Sequence, residues 1–419
     1  MNVHGTVRVP GDKSISHRAL ILSALADGVS TVRGILDSHD VRSTASVLRA
    51  LGVDVPALAP AMTIQGLGLS GTRAAGRDLD CGNSGTTARL MAGVAAARPF
   101  ASRFVGDQSL SKRPMRRIIR PLEAMGARIE CERGDGLPMT VYGGALHGVE
   151  WRTEVASAQV KSAILLAGLV AGVPVSVAEP LTSRDHTERM LAARGVEVLT
   201  RGDIVSLRPV TRLPAAEVDV PGDPSSAAFF AAVAALAESG ALVLRNVCVN
   251  PSRTGFLQLL RRMGAHVEFL DESVRGGEPV ADVRVSPGAL VGTDVGGDEV
   301  PSMIDELPLA ACLAGRAEGT TRITGAGELR VKESDRIATV VQNLRAVGVE
   351  AEELPDGMVV HGTRAPLRGR IVTHGDHRIA MAFGVLGAAA DAAIEIDDPA
   401  CVDVSFPGFW ETLAGAVQS

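Results

Sequence analysis

The sequence reads as an α/β protein made of two similar domains, each built from three repeated β/α units. Three observations predict this. The first is one segment written twice, VPGDKSISHRALILSALADG at 9–28 and VPGDPSSAAFFAAVAALAESG at 220–240. Each copy runs a short strand into Pro-Gly-Asp, then serines, then a long apolar helix that ends in Gly, which is how one supersecondary unit is reused. The second is a helix that ends in Gly and feeds a strand, recurring at Gly52, Gly126, Gly195, Gly264 and Gly348 with intervals of 74, 69, 69 and 84 residues. The third is an Ala/Leu-rich helix followed by a polar break and a β-branched strand. It occurs six times, as LADGVSTVRGI, AAARPFASRFVG, LVAGVPVSVAEP, LAESGALVLRNV, AEGTTRITGA and AAADAAIEIDD, giving about 70 residues per unit.

Taken in order, His4 to Gly11 forms the opening strand and Asp12 starts the first apolar helix, which leads to the strand VSTVRGI and a helix stopped at Gly52. CGNSGTTAR opens the apolar helix of the second unit, followed by the strand ASRFVG and a helix stopped at Gly126. ASAQVKSAILLAG opens the third, with the strand VPVSVAE and a helix stopped at Gly195. Val218 to Gly222 resembles the first strand and opens the fourth unit. IDELPLAACLAG and THGDHRIAMAFGVLG open the fifth and sixth. After FPGFWETLAGAVQS no Gly and strand follow, so the N-terminal strand is expected to complete the last unit. The expected domains are therefore 1–12 with 221–419, discontinuous, and 13–220, continuous.

Composition excludes several classes. Aromatics at 3% are too scarce for base-stacking platforms and the net charge of −6 does not suit a phosphate-backbone binder, so no nucleic-acid partner is expected. The five cysteines lie far apart with no CxxC, which supports neither a disulfide framework nor a Cys-rich zinc site and fits a reducing compartment. The start MNVHGTVRVPGDK has no signal-peptide pattern, and the longest apolar stretch, AILLAGLVAGVPVSVA, is too short and too interrupted to span a bilayer. A cytoplasmic monomer without a membrane partner is expected.

Chemistry is expected where the repeats diverge. DKSISHR places Lys13 and Ser14 at a helix N-terminus, where free N–H groups and the dipole favour anions, with Arg18 about one turn further on the same face. The second copy has Pro224, Ala228 and Phe229 at the positions of Lys13, His17 and Arg18, so the charged copy reads as an anion site rather than a solvated cap. CGNSGTTAR reads either as an anion nest that includes Gly85 or as a Gly-rich cap. In GDQSLSKRPMRRIIRPL, Pro114 is expected at the first helical position with Arg113 aimed at the helix mouth and Arg116, Arg117 and Arg120 solvated. Ser157 and Gln159 of ASAQ suit hydroxyls or phosphate oxygens, and capping accounts for them equally. Asp305 and Glu306 stand before an apolar helix. RVKESDR supplies Lys332, Glu333 and Arg336, with Lys332 and Arg336 spaced to share a helix face, unless the stretch is an exposed ion-pair helix. Asp376, His377 and Arg378 begin another buried helix; His374 and His377 lack a third ligand nearby in sequence, so no metal is expected. Dispersed cationic helix starts with carboxylates among them suit group transfer between small, multiply anionic substrates.

At these residues the chain resembles the EPSP synthase family of enolpyruvyl transferases. VPGDKSISHRALILSALADG, LDCGNSGTTARLMAG, GDQSLSKRPM, ASAQVKSAILLAG, IDELPLAACLAG, LRVKESDRI and GDHRIAMAF occur in family order over nearly the whole length. The resemblance implies helices facing inward in both domains, a site in the cleft between the domains, no metal or organic cofactor, and transfer of the enolpyruvyl group of phosphoenolpyruvate to the 5-hydroxyl of shikimate 3-phosphate. It implies that Lys13, Ser14, Arg18, Ser157, Gln159, Asp305 and Lys332 hold shikimate 3-phosphate. Phosphoenolpyruvate would be held by Lys13, Gly85, Arg113, Gln159, Arg336 and Arg378, with Asp305 as base and Lys13 and Glu333 as proton donors. It also implies inhibition by glyphosate, which competes with phosphoenolpyruvate and reaches toward Gly85. Ala158, Glu328, Leu90 and Val404 depart from many relatives. The UDP-N-acetylglucosamine enolpyruvyl transferases are similar too, but there an Asn follows the lysine and the loop corresponding to 106–117 usually carries a Cys, whereas Ser14 follows Lys13 here and 106–117 has none. A non-catalytic repeat scaffold would be expected to have degenerate helix starts, and these are intact.

Overall fold

The structure is a computed structural model that describes residues 1–389 and 391–418; Ala390, inside the last helix-to-strand signature, and Ser419 lie outside the described residues. Twelve α-helices alternate in character along the described chain. Six are buried on all sides along most of their length: α1 (Lys13–Ala24), α3 (Gly85–Ala96), α5 (Ala158–Ala171), α7 (Pro224–Leu236), α9 (Leu307–Ala314) and α11 (His377–Gly387). Interleaved with them are α2 (His39–Ala50), α4 (Arg116–Ala124), α6 (His186–Ala192), α8 (Gly255–Met263), α10 (Arg336–Ala346) and α12 (Phe409–Ala416), most of which bury one side only. A helix apolar all round must lie inside, and an amphipathic one covers it.

The chain divides into two compact units. One is continuous, Gly11–Val220 together with Val274–Glu278; the other is split, Met1–Pro10, Pro221–Ser273 and Pro279–Ser419. In the continuous unit α3 packs against both α1 and α5. The α3–α5 contact is so close that a Cβ on Gly93 would stand 2.3 Å from the Ala163 carbonyl oxygen, which is why glycine is needed there. In the split unit α7, α9 and α11 pack mutually and form the centre of its apolar core.

Each of the six helix-to-strand signatures is realised: α1, α3, α5, α7, α9 and α11 run into strands Asp27–Arg33, Ala101–Val105, Val175–Ala178, Leu242–Cys248, Thr320–Ile323 and Ala392–Ile396. The five glycines of the other pattern all adopt positive φ, between 77° and 111°, the left-handed turn that stops a helix. Repeats two to five each form their own four-stranded sheet on one plan: a leading strand, parallel to the strand after the inner helix, then the two strands of a hairpin, as in Leu79–Asp80, Ala101–Val105, Met139–Tyr142 and Arg128–Cys131.

At the chain crossings the strands are exchanged relative to the sequence expectation. The segment expected to open the fourth repeat, Val218 to Gly222, is divided: Glu217–Asp219 pairs with Asp27–Arg33 of the first, and Gly222 bridges to Val247 of the fourth. The leading strand of the fourth repeat is Thr6–Val7, paired with Val243–Leu244. Only Asn2–Val3 meets the C-terminal residues Val417–Gln418, so the N-terminal strand completes the last repeat in part and the fourth in part. TVRVPGD and EVDVPGD carry the same alternation before the same turn. Local pattern therefore fits either sheet, and chain connectivity selects.

Candidate active site

In the continuous unit the chemistry gathers at helix starts. Asp12 caps α1, accepting the Ile15 N–H at 2.8 Å, which points the first turn of Lys13 and Ser14 outward. Lys13 Nζ donates to Asp40 Oδ2 at 3.1 Å, Asp40 lying in the first turn of α2. One turn along α1, Arg18 is buried and donates to Thr187 Oγ1 at 2.7 Å, the Ser14 carbonyl at 2.9 Å and Ser162 Oγ at 2.7 Å. Its partners are neutral oxygens, and burial lowers its pKa from 12.5 to about 10. Glu188, Asp12 and Glu278 oppose that lowering from further off, and a guanidinium whose hydrogen-bond partners are neutral suits an anion.

Ser84 caps α3, and Gly85 begins it. A Cβ on Gly85 would stand 2.9 Å from Arg89 Nη1 and 3.6 Å from Arg113 Nη1, so the absent side chain leaves two guanidiniums side by side. Arg89 donates to Gln159 Oε1 at 2.6 Å, Gln159 donates to Thr86 Oγ1 at 2.9 Å, and Arg113 donates to Asn83 Oδ1 at 2.6 Å. Gly85, Arg113 and Gln159 are thus brought together, with Arg89 as the link that sequence reasoning missed. The signal was its spacing of one turn from Gly85 within the same motif. The expectation for Pro114 is corrected: α4 starts at Arg116 with Met115 as its cap, and Arg113 is extended. The Met115 N–H, which has no partner within the helix, donates to the Asp135 carbonyl at 2.8 Å. Arg116, Arg117 and Arg120 are exposed.

Beneath these starts lies a buried chain of hydroxyls. His17 Nδ1 lies 2.7 Å from Thr44 Oγ1, Thr44 2.7 Å from Thr87 Oγ1, and Thr87 donates to Ser84 Oγ at 2.7 Å. Burial, with the charges of Lys13 and Arg18 adding and Asp40 opposing, lowers the His17 pKa from 6.5 to about 3, so the ring is neutral. Ser157 caps α5, its Oγ accepting from Val160 N–H at 3.5 Å.

The split unit carries the other cluster. Asp305 lies in a 3-10 turn, Ile304–Glu306, that runs into α9. Its Oδ1 stands 3.8 Å from Lys332 Nζ and 3.5 Å from Arg336 Nη1, and its Oδ2 stands 4.0 Å from Arg378 Nη2. Arg336 is buried and donates to both oxygens of Asp376, at 2.8 and 3.1 Å, and to Glu333 Oε2 at 2.6 Å. Burial alone would lower its pKa, but Asp376, Glu333 and Asp305 outweigh it and raise it. Asp376 is correspondingly lowered, burial being overcome by Arg336, and it caps α11 by accepting from the Arg378 N–H at 3.0 Å. Arg378 Nη1 donates to the Asp305 carbonyl at 3.1 Å and approaches Glu306 Oε1 at 3.4 Å. All five residues singled out in this unit, Asp305, Lys332, Glu333, Arg336 and Arg378, meet in one cluster.

RVKESDR is not the single helical turn expected. Asp335 caps α10 by accepting from Ala338 N–H at 3.1 Å, so the helix begins at Arg336 and Lys332 is extended. Lys332 and Arg336 converge on Asp305 rather than sharing a helix face. Glu328, one of the departures, stands 3.8 Å from Lys332. Ala158 opens α5, Leu90 is buried in α3 and Val404 ends the 3-10 turn Pro399–Val404. The second copy of the duplicated segment has its own charge partner, which sequence reasoning missed: Arg253 donates to the cap Asp223 at 3.1 Å and to Ser225 at 2.9 Å, and Ser225 donates to buried Glu306. Among the described residues no group of three His, Cys, Asp or Glu side chains is arranged to hold a metal ion.

Comparison with known proteins places these residues in context. Residues 1–413 match the sequence profile of EPSP synthase (3-phosphoshikimate 1-carboxyvinyltransferase). A 3-phosphoshikimate 1-carboxyvinyltransferase of Alkalilimnicola ehrlichii is 50% identical over 415 residues, covering 99% of this chain and 93% of the relative. One of Brevibacillus brevis is 47% identical over 418 residues, covering 99% and 98%. A solved EPSP synthase of Acinetobacter baumannii is similar with a TM-score of 0.88 and 42% identity, covering 99% of this chain and 96% of that one.

Proposed function

The chain belongs to the EPSP synthase family, and from that premise we propose that it transfers the enolpyruvyl group of phosphoenolpyruvate to the 5-hydroxyl of shikimate 3-phosphate, releasing phosphate. The observation that carries the reading is the cluster at Asp305, where three cations stand 3.5 to 4.0 Å from one carboxylate. At that separation the three cations and the carboxylate form one charged cluster, and cations so placed attract the anionic groups of a substrate.

In this reading Lys13, Ser14, Arg18, Ser157, Gln159, Asp305 and Lys332 take shikimate 3-phosphate, and Lys13, Gly85, Arg113, Gln159, Arg336 and Arg378 take phosphoenolpyruvate. The buried Arg18, hydrogen-bonded to neutral oxygens, and the two guanidiniums around Gly85 support phosphate and carboxylate binding. The step is an addition followed by an elimination. A proton goes to C3 of phosphoenolpyruvate from Lys13 or Glu333 while the 5-oxygen bonds to C2 and passes its proton to Asp305; loss of a C3 proton with departure of phosphate then restores the double bond. No step calls for a metal or organic cofactor. No described helix is long and apolar enough to cross a membrane, and we propose a cytoplasmic monomer.

The test is phosphate release by the purified protein with each substrate omitted in turn, with and without a chelator. Release is expected only with both substrates present, and unchanged by chelation. Release from phosphoenolpyruvate alone, or activity lost to chelation and restored by a divalent ion, overturns the reading.

A further inference from the structure

The start of α5 is held by a device that no binding role explains. Lys161 stands one turn beyond Ser157, inside an otherwise apolar helix, and is 1% exposed. Its ammonium lies 2.8 Å from Glu179 Oε2 and 2.8 Å from Glu188 Oε1, both carboxylates buried. Burial would lower the lysine's pKa, but the two glutamates outweigh burial and raise it, so the group stays charged. Glu179 follows the strand Val175–Ala178. Its other oxygen, Oε1, accepts the backbone N–H of Ser157 at 2.9 Å, and Oε2 also accepts from Ser183 Oγ at 2.7 Å.

From within a helix, the N–H of a capping residue is satisfied by a Glu or Gln side chain at the third helical position, and α5 has Val160 there. Here a carboxylate satisfies it, and that carboxylate is itself fixed by a buried ammonium. We propose that Glu179 is a positioning residue that sets Ser157 for the phosphorylated ring substrate, Lys161 serving to hold the Glu179 carboxylate in place. The proposal rests on the reading above, in which Ser157 binds shikimate 3-phosphate. Glu179 itself touches no substrate. Its effect is therefore confined to the substrate that Ser157 holds, and the Gly85 and Arg113 contacts to phosphoenolpyruvate are left alone.

Removing one charge of a buried pair leaves the other unpaired, which can unfold the protein whatever the role of Glu179. The test uses two double variants made in a Glu188→Gln background, so that the charges of all three buried groups go together. Lys161→Met with Glu179→Gln keeps an oxygen to accept the Ser157 N–H; Lys161→Met with Glu179→Leu does not. With the wild-type enzyme turning over both substrates as a control, the Gln pair is expected to keep the Michaelis constant for shikimate 3-phosphate within about threefold of wild type, and the Leu pair to raise it about tenfold or more. The constant for phosphoenolpyruvate should move less than about threefold in both. Equal constants for the two double variants, or a parallel rise for both substrates, overturn the proposal. If the Leu pair does not fold, Glu179→Asp decides: it keeps the charge but is one methylene too short to reach both Lys161 and Ser157, so the constant for shikimate 3-phosphate should rise alone, and an unchanged value overturns the proposal. An inactive wild type would instead count against the proposed function.

Discussion

Gly85 shows how one missing side chain sets the shape of a site. With a methyl 2.9 Å from Arg89 Nη1 the guanidinium must give way, while Arg113 at 3.6 Å stays in ordinary contact. An inhibitor that reaches toward the glycine meets the methyl directly, and phosphoenolpyruvate meets only the adjusted arginine. Gly85→Ala is therefore expected to raise the inhibition constant of glyphosate about tenfold or more, an overpacking cost of roughly 1–3 kcal/mol, and to raise the Michaelis constant for phosphoenolpyruvate much less. Equal proportional increases in the two constants would show that the methyl obstructs both alike. His17 gives a prediction in pH. Its folded pKa is about 3 against 6.5 when free, so as pH falls below 6.5 the unfolded chain takes up the proton first. Stability is then flat above 6.5 and declines toward 3, by up to about 1.4 kcal/mol per pH unit from this one group. His17→Asn keeps a polar atom opposite Thr44 but cannot titrate, so its urea midpoint should fall less between pH 7 and pH 4 than that of the wild type. The same fall in both proteins removes His17 from this role. Neither burial nor its partner was legible in DKSISHR, because Thr44 lies 27 residues away in another helix. The charged residues at helix starts were legible, because a duplicated segment with one uncharged copy separates chemistry from fold.

Helices and their stops were the most legible elements. Glycines at left-handed positions and apolar runs with polar breaks are local signals, and all five glycine stops carry positive φ. These stops are not equivalent, and the difference can be measured. Gly195, at φ +77°, has nothing within 4 Å of a built Cβ, whereas at Gly264, φ +111°, a Cβ would stand 2.3 Å from the Ala289 carbonyl oxygen. Gly195→Ala should lose only the conformational preference, about 1–2 kcal/mol, and Gly264→Ala substantially more, as read from urea unfolding. Comparable losses would mean that the backbone at 289 yields freely. What sequence did not disclose at this scale was which residue caps each helix and which distant group meets its start: Asp335 capping α10 after an extended Lys332, the Asp135 carbonyl accepting from Met115 ahead of α4, and Glu179 reaching Ser157 at the start of α5 from a strand end. Each is a side-chain or carbonyl choice made after the elements assemble, and no periodicity encodes it.

For the molecule as a whole, the proposed chemistry asks residues of both units to act on each substrate, Lys13 with Lys332 on one and Arg113 with Arg378 on the other. Saturating shikimate 3-phosphate with glyphosate is expected to reduce the radius of gyration measured by scattering. An unchanged radius at saturation counts against joint action of the two units. The exchanged strands have a consequence in time. A chain made from its N-terminus completes the first sheet once Glu217–Asp219 has emerged to pair with Asp27–Arg33. Thr6, however, waits for Val243 and Asn2 for Ser239, each 237 residues later, and Asn2 gains its second partner, Gln418, 416 residues later. At about 5–20 residues per second, the earliest residues synthesised stay without their sheet partners for roughly 10 to 50 seconds and longer. During that interval TVRV is an unpaired strand beside a growing chain, and any factor that shields nascent segments has its longest task at the first ten residues.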